Sequence, residues 1–178
     1  MTPHAVPPIE GRCDARFARV RDAFAGNFAA HGEVGAAVAI TLDGRTVVDL
    51  WAGHADAARR TPWRRDTLVN VFSVSKALTT ICALRLAERG RLDLDAPVAR
   101  LWPEFAAAGK DAITPRQILS HRAGLPAIRA TLPEGAMLDW TRMTAALAAQ
   151  EPWWTPGASH GYHVNTFIQQ DFIIHGCL

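Results

Sequence analysis

The chain has almost no lysine. Of its 19 basic residues, 17 are Arg, and only Lys76 and Lys110 are Lys. The pKa of a lysine, unlike that of an arginine, can be lowered until the side chain gives up a proton. A lysine among so many arginines therefore indicates a position whose side chain has to give up a proton, which arginine does not do. We interpret Lys110, in the loop-like AAGKDA, as a chance occurrence, which leaves Lys76 as the informative one.

The chain also has few cysteines and only a small net charge. The three cysteines, Cys13, Cys82 and Cys177, are far apart, odd in number and form no C-x-x-C pair, which argues against a disulfide framework or a structural zinc site. The formal net charge is only +2, with acidic and basic residues mixed along the chain. That balance excludes the strongly basic surface that nucleic acids or membranes attract.

Long hydrophobic runs are missing as well. No segment reaches the length that a membrane-spanning helix needs, and no apolar run follows a basic start at the N-terminus. We therefore expect a cytoplasmic protein. The 178 residues, 49% of them hydrophobic, suffice for one globular domain with a sizeable core.

The first third of the chain predicts a helix followed by a hairpin. Apolar residues recur at three- and four-residue spacing over 12–31, and Gly32 ends the pattern. Two runs rich in Val, Ile, Thr and Leu then flank Asp43-Gly44, a strong two-residue hairpin signal. The charged loop RRTPWRR follows, and a short extended run is predicted over 68–72.

The remainder predicts a mainly helical region. Residues 73–89 carry apolar side chains around most of the helix circumference, so this helix is expected to be largely buried. Thr114-Pro115 opens a further helix through about Ser120, with proline at its first position. Another helix is predicted over 141–150, followed by a loop rich in Pro, Gly and aromatic residues. Asp93 and Asp95 are interpreted as turn formers.

Ser73 and Lys76 have the spacing of a nucleophile and its base. Residues three apart on a helix lie on the same face, close enough to touch. A serine hydroxyl needs a base to take its proton, and burial would lower the pKa of Lys76 toward that of a neutral amine. Four serines and two lysines would give only about 0.05 such S-x-x-K pairs by chance. The alternative, an N-cap serine beside a lysine that extends to solvent, stays open from the residues alone.

Four segments in order resemble the serine β-lactamase/penicillin-binding-protein-like superfamily. They are TLVNVFSVSKALT, RLDLDAPVARLWPEF, AITPRQILSHRAGLP and PGASHGYH, and the resemblance as a whole runs from about Glu33 to His163. The resemblance is greatest to the class C-like branch of esterases and other serine hydrolases. It implies that Ser73 is the acyl-forming nucleophile, Lys76 its proton acceptor and Tyr162 the phenol that shuttles a proton to the leaving group. It also implies that the Ser73 N–H forms half of the oxyanion hole.

The resemblance implies an α+β fold of the β-lactamase/transpeptidase type. The expected parts are an N-terminal helix, a β-hairpin of an antiparallel sheet and the helical region, with the C-terminal strands missing. We assign 1–163 to an incomplete β-lactamase-related domain and 164–178 to an atypical tail, which contains neither Ala nor Arg. A truncated chain would be impaired in catalysis, and the exposed edge of the hairpin would allow self-association.

The motif departs from the family at one position near the predicted tyrosine. Family members often carry Asn or Ser two residues after it, where this chain has Val164. Some esterase-like relatives have small apolar residues there, so Val164 favours an esterase over a β-lactamase. His175-Gly176 follows no strand-like segment in the right context, and we do not assign it to the family's third motif.

Other candidate residues have simpler interpretations. His54, His121, His160 and His163 show no carboxylate at ligand spacing and no H-E-x-x-H, so we predict no metal site and no cofactor. We expect His160 and His163 to form loop hydrogen bonds around Tyr162, and His121 to fix the loop after its helix. Trp153-Trp154 would line an acyl pocket or pack in the core, and both remain open. Ser75 is a weak nucleophile candidate because it faces away from Ser73.

The sequence thus predicts a serine hydrolase whose partner is a small molecule. The substrate would be a carboxylic ester, a β-lactam or a D-amino-acid peptide, cleaved through an acyl-enzyme on Ser73. The alternative is a non-catalytic remnant of the same fold that serves as an interaction module. A binding module built on RRTPWRR is poorly supported, since arginines in one loop usually form a solvated face. No nucleic acid or membrane partner is expected.

Overall fold

The computed structural model describes residues 5–169, which divide into two compact units, 5–70 and 71–169. The first unit contains a small antiparallel sheet with one helix, and the second is helical. Together they form the α+β class that the sequence predicts. No helix among the described residues is long and apolar enough to cross a membrane.

A three-stranded antiparallel sheet forms the first unit. Its strands are β1 (Ile9–Cys13), β2 (Gly35–Leu42) and β3 (Arg45–Gly53), in the spatial order β1-β3-β2. Strands β2 and β3 are the predicted hairpin, and Asp43 and Gly44 both adopt positive φ, as a tight two-residue turn requires. Strand β1 was not predicted, and it covers the free edge of β3 by pairing Ile9 with Ala52. Self-association through the hairpin edge stays a prediction.

Helix α1 (Ala18–His31) covers one face of this sheet. It begins later than predicted because residues 9–13 are taken by β1, and it ends at Gly32, whose φ of 67° is left-handed. Phe24 and Phe28 are the buried residues of the helix and pack with Val48 and Leu50 of β3. The three- and four-residue spacing of aromatic residues therefore marked the buried face correctly.

Over residues 71–169, the second unit contains four α-helices, with short 3-10 segments ahead of the first three. These are α2 (Ser75–Glu88), α3 (Pro115–Leu119), α4 (Trp140–Ala149) and α5 (Thr166–Gln169). Residues of α2, α3 and α4 share one core with the 3-10 turns at Val98–Arg100 and Pro103–Gly109, whose fully buried members include Val98 and Phe105. The predicted extended run at 68–72 is wrong, since residues 68–71 are irregular and Phe72 opens a 3-10 turn.

Helix α3 is positioned by its first residues. The Thr114 side chain accepts from the Gln117 N–H, and the Gln117 side chain accepts from the Thr114 N–H, which completes a capping box ahead of Pro115. Arg116 then reaches Asp95 at 2.7 Å, and Asp93 accepts the Asp95 N–H as a turn former does. The predicted helix start and both aspartate roles are confirmed.

Helix α2 is less buried than its sequence predicts. Only Lys76, Ala83 and Leu86 are buried, whereas Leu78, Ile81 and Leu84 are half or more exposed. An apolar circumference predicts burial only if neighbours pack on every side of the helix. The described residues cover one side of α2, so the prediction of a largely buried helix is wrong for this structure.

Lys110 is a structural residue, which corrects its interpretation as a chance loop lysine. Its side chain is fully buried. The ammonium donates to the carbonyls of Ala107 at 2.6 Å, Ala148 at 2.8 Å and Gln150 at 2.6 Å. These contacts satisfy the last carbonyls of α4 and join them to the turn after Phe105. Sequence context gave no signal of this, because all three acceptors are backbone atoms and two of them are about 40 residues away.

We predict that Lys110→Met destabilises the folded chain. Methionine keeps the length of the side chain but leaves three carbonyls without their donor, at a cost of about 3 kcal/mol. Urea unfolding followed by circular dichroism measures the loss, and Arg100→Met, at an exposed position of the same unit, is the control. Equal unfolding midpoints for Lys110→Met and Arg100→Met would contradict the structural role.

Candidate active site

Ser73 lies at the junction of an irregular segment and a helix. The 3-10 turn Phe72–Val74 precedes α2, and Phe72 adopts a left-handed φ of 44°. Such a conformation is uncommon for a non-glycine residue, and strained residues of this kind cluster at functional sites. The helix predicted from residue 73 therefore begins as a 3-10 turn, with Ser73 exposed in its middle.

The Ser73 and Lys76 side chains meet as their spacing predicts. The Lys76 Nζ lies 3.1 Å from the Ser73 Oγ, within hydrogen-bond distance. Lys76 itself is 7% exposed, so its ammonium group is enclosed while the hydroxyl stays accessible. Ser75 is occupied elsewhere, because its hydroxyl donates to the Phe72 carbonyl at 2.7 Å. The hydroxyl of Ser73, and not that of Ser75, is therefore in contact with the Lys76 side chain.

Tyr162 joins this pair from a distant part of the chain. Hydrogen bonding to the Ser73 hydroxyl lowers the pKa of the Tyr162 phenol, and the hydrogen bond and charge of Lys76 lower it further. The Lys76 Nζ also lies 5.2 Å from the centre of the Tyr162 ring and 5.7 Å from that of Phe167. The structure thus brings together all three residues predicted from the sequence, Ser73, Lys76 and Tyr162.

Paired loops carry Tyr162 to this position. The loop after α3 offers the carbonyls of His121, Arg122 and Gly124. The aromatic-rich loop donates to them the N–H groups of Gly161 at 3.1 Å, Gly157 at 2.8 Å and Trp153 at 2.7 Å. Three backbone hydrogen bonds therefore fix the path of the loop that ends at Tyr162.

Gly161, the residue before Tyr162, packs closely against the Trp154 ring. A Cβ at this position would lie 2.5 Å from the Trp154 ring, so only glycine fits. The Trp154 indole N–H donates to the Ser159 carbonyl, and the Trp153 indole N–H donates to the Ala127 carbonyl. Trp153 thus joins the two loops, and Trp154 bonds within its own loop. Trp153 is 45% exposed and does not pack in the core, and the acyl-pocket interpretation stays a prediction.

His163 is a buried anchor directly after Tyr162. Its ring is fully buried, its Nε2 accepts the Leu125 N–H at 2.9 Å and its Nδ1 lies 2.6 Å from the Gly161 carbonyl. Burial lowers the pKa of His163 to about 4, so the imidazole is neutral at physiological pH. The predicted role of this histidine in loop hydrogen bonding is confirmed.

The start of the predicted tail packs onto the same unit. Thr166 and Phe167 are buried, and the Thr166 hydroxyl donates to the Leu125 carbonyl. Cys177 and the rest of the tail lie outside the described residues. The domain assignment of 1–163 and 164–178 stays a prediction.

The histidines do not form a metal centre in the described part of the chain. His121, His160 and His163 lie together in the second unit, whereas His54 belongs to the first. Across residues 5–169, no group of three or more His, Cys, Asp or Glu side chains is arranged to hold a metal ion. Other roles are therefore needed for this cluster.

Sequence reasoning missed the loop pairing that assembles the site. The bonds join backbone atoms about 30 to 40 residues apart, and backbone atoms carry no residue signature. The available signal was the density of glycine and proline in HRAGLP and PGASHGYH, which indicates that two backbones approach closely.

We predict that the Tyr162 phenol titrates below its ordinary pKa of about 10 in the folded chain. Tyr162 is the single tyrosine, so the ultraviolet absorbance of tyrosinate reports on it alone. Ser73→Ala removes the largest cause of the lowering and is expected to raise the pKa. Ser120→Ala, whose hydroxyl bonds the Arg116 carbonyl instead, is the control. Identical titrations in all three proteins would argue against the Ser73–Tyr162 contact.

Comparison with known proteins gives relatives of one kind. Esterase/beta-lactamase LipL of Mycobacterium tuberculosis is 42% identical over 165 residues, which are 93% of this chain and 38% of LipL. A penicillin-binding protein homologue from Caulobacter crescentus is 43% identical with a TM-score of 0.89, over 95% of this chain and 46% of that one. A family VIII carboxylesterase is 42% identical with a TM-score of 0.81, over 94% and 47%.

The chain therefore spans less than half the length of these relatives. The Beta-lactamase family model matches residues 20–177, which include the helix with Ser73 and Lys76, the loop with Tyr162 and most of the segment 164–178. Together with the shared fold, this match identifies the family: the chain belongs to the Beta-lactamase family.

Proposed function

We propose that this chain carries the nucleophilic centre of a serine hydrolase that cleaves carboxylic esters through an acyl-enzyme on Ser73. The observation that carries the proposal is the contact among the Ser73 hydroxyl, the buried Lys76 ammonium group and the Tyr162 phenol. Homology supports the reaction class, since relatives are named as esterases or β-lactamases.

The geometry suits a proton path in both directions. As Ser73 Oγ attacks the ester carbonyl, its proton passes to the Lys76 nitrogen, which lies within the reach that a general base needs. Tyr162 then delivers a proton to the departing alkoxide and regains one through Lys76. In the second step water attacks the acyl-enzyme, and a proton returns along the same path to Ser73 Oγ. This step releases the carboxylic acid and restores the Ser73 hydroxyl.

The first turn of the helix contributes to the developing oxyanion. The first N–H groups of a helix have no intrahelical acceptor, and their dipoles favour negative charge. The Ser73 N–H, in the 3-10 turn that leads into α2, is in our proposal one donor to the carbonyl oxygen. One such donor contributes about 3 kcal/mol of transition-state stabilisation.

An apolar cavity favours an ester with a hydrocarbon acyl group. It measures about 710 Å³, within the range of small-molecule sites, and lies entirely in the second unit. Its wall includes Ile128, Leu132, Met143 and Val164, the last of which is two residues from Tyr162. Apolar walls suit an acyl chain better than the charged carboxylate of a penicillin.

A second candidate function, an interaction module, is favoured by one observation. The exposed side of α2 presents Leu78, Ile81 and Leu84, a contiguous apolar face of the kind that binds other polypeptides. The labelling experiment below separates the two proposals, because an interaction module requires no reactive serine.

We predict that a fluorophosphonate adds one adduct to the 178-residue chain, on Ser73. Intact-mass analysis measures the adduct, and Ser73→Ala is expected to abolish it. Ser75→Ala, two residues away, is the matched control and is expected to retain it. Absence of an adduct from the folded chain would exclude a working nucleophile. A parallel incubation with a penicillin tests the β-lactam alternative.

The same protein tests the predicted impairment of catalysis. We propose that residues 1–178 alone form the adduct but turn over p-nitrophenyl esters poorly. Turnover at a rate typical of esterases, abolished by Ser73→Ala, would contradict the impairment.

We predict that Ala130→Phe shortens the preferred acyl chain. Ala130 is exposed and lines the cavity, so a phenyl ring there fills part of its volume without disturbing the core. Acylation by p-nitrophenyl octanoate relative to acetate is expected to fall about tenfold. Ala145→Phe, at an exposed position of α4 outside the cavity lining, is the control. An unchanged octanoate preference in Ala130→Phe would exclude this cavity as the acyl site.

A further inference from the structure

His121 occupies a strained position beside Tyr162. It follows α3 and adopts a left-handed φ of 59°, which is uncommon for residues other than glycine, although histidine, asparagine and aspartate adopt it more often than most. Its ring lies 4.8 Å from the Tyr162 ring, centre to centre, in an edge-to-face arrangement, and 5.0 Å from the Phe167 ring. A strained residue in contact with a reactive group indicates that its conformation serves the site.

His121 binds the two residues that flank Tyr162 in the sequence, one through its backbone and the other through its side chain. The His121 carbonyl accepts the N–H of Gly161, the residue before Tyr162, at 3.1 Å. The His121 Nδ1 accepts the N–H of His163, the residue after Tyr162, at 3.2 Å. One residue therefore binds both neighbours of the tyrosine and packs against its ring.

We propose that His121 is the positioning residue of Tyr162: its Nδ1 and carbonyl fix the two flanking peptide groups, and thereby hold the phenol against Ser73 and Lys76. The assignment of a catalytic role to Tyr162 rests on the proposed function. The positioning itself rests on the contacts of His121 alone.

Both contacts are made with His121 at a left-handed φ of 59°, so a replacement residue must adopt this conformation readily if the backbone contact is to be kept. Asparagine adopts this conformation readily and carries an acceptor oxygen the same number of bonds from the backbone as Nδ1. Glycine adopts it too but has no side-chain acceptor.

The accepting nitrogen requires a neutral ring. Nδ1 can accept the His163 N–H only while it carries no proton. The titratable groups that face the ring are Lys76, His160, His163 and the Tyr162 phenol. Burial lowers the pKa of His121, and the charges of His160 and Lys76 lower it further, so the neutral ring prevails at physiological pH.

Neighbouring histidines have different partners. His163 binds the Leu125 N–H through its ring and contributes only its backbone to the contact with His121. The ring of the exposed His160 lies edge-on to His121 at 5.9 Å. His160 is therefore the matched control, a histidine of the same cluster outside the contacts that flank Tyr162.

The test compares His121→Asn with His121→Gly. Both remove the ring and both tolerate the backbone conformation, so they differ in the side-chain acceptor. The readout is the tyrosinate titration of the single tyrosine, which needs no catalytic activity. Circular dichroism verifies that each variant is folded.

We expect His121→Asn and His160→Asn to keep the lowered pKa of Tyr162, and His121→Gly to return it toward about 10. A merely structural histidine would not give different Tyr162 pKa values in His121→Asn and His121→Gly, since both variants lose the ring. Equal Tyr162 pKa values in His121→Asn and His121→Gly would overturn the proposal. If His121→Gly does not fold, a folded His121→Asn with an ordinary Tyr162 pKa would overturn it equally.

Labelling by the fluorophosphonate separates this proposal from the proposed function. With an active Ser73, His121→Gly is expected to slow adduct formation about 100-fold, and His121→Asn is expected to remain near the unaltered chain. If no protein forms an adduct, the hydrolase proposal fails while the titration still decides the role of His121. Fast labelling of His121→Gly would contradict positioning through this residue.

Discussion

The candidate site depends on the pairing of two loops that are remote in sequence. Three carbonyls at residues 121, 122 and 124 receive N–H groups from residues 161, 157 and 153. A phenol on a loop of this length would otherwise sample many positions, since each ordered residue costs about 1–2 kcal/mol of conformational entropy. The hydrogen bonds and the ring contacts around them offset that cost and direct Tyr162 to Ser73 and Lys76.

Buried nitrogen donors and acceptors recur at the points where the second unit joins distant segments. Lys110 gathers three carbonyls at the end of α4, and His163 links Leu125 to Gly161. Both side chains are fully buried, where an unpaired polar group would be costly, so each makes the hydrogen bonds that its surroundings require. Hydrogen bonds between segments distant in sequence thus hold together both the interior of the second unit and the candidate site.

Local pattern predicted much of the fold. The hairpin at Asp43-Gly44, the apolar face of α1 and the start of α3 at Thr114-Pro115 were all visible in the sequence, because each depends on residues a few positions apart. The prediction failed where a neighbour remote in sequence decided the outcome. Strand β1 exists through its pairing with β3, and the apolar α2 is half exposed because the described residues cover only one side of it.

The same division holds for the site. The sequence by itself determined that Ser73 and Lys76 are one helical turn apart, which leaves their side chains on one face and makes their contact possible. Its motifs also pointed to the family and to Tyr162. The tertiary structure decided that Tyr162 reaches the pair, that His121 flanks it and that Lys110 is buried. These contacts join groups far apart along the chain, and only folding brings such groups within hydrogen-bond distance.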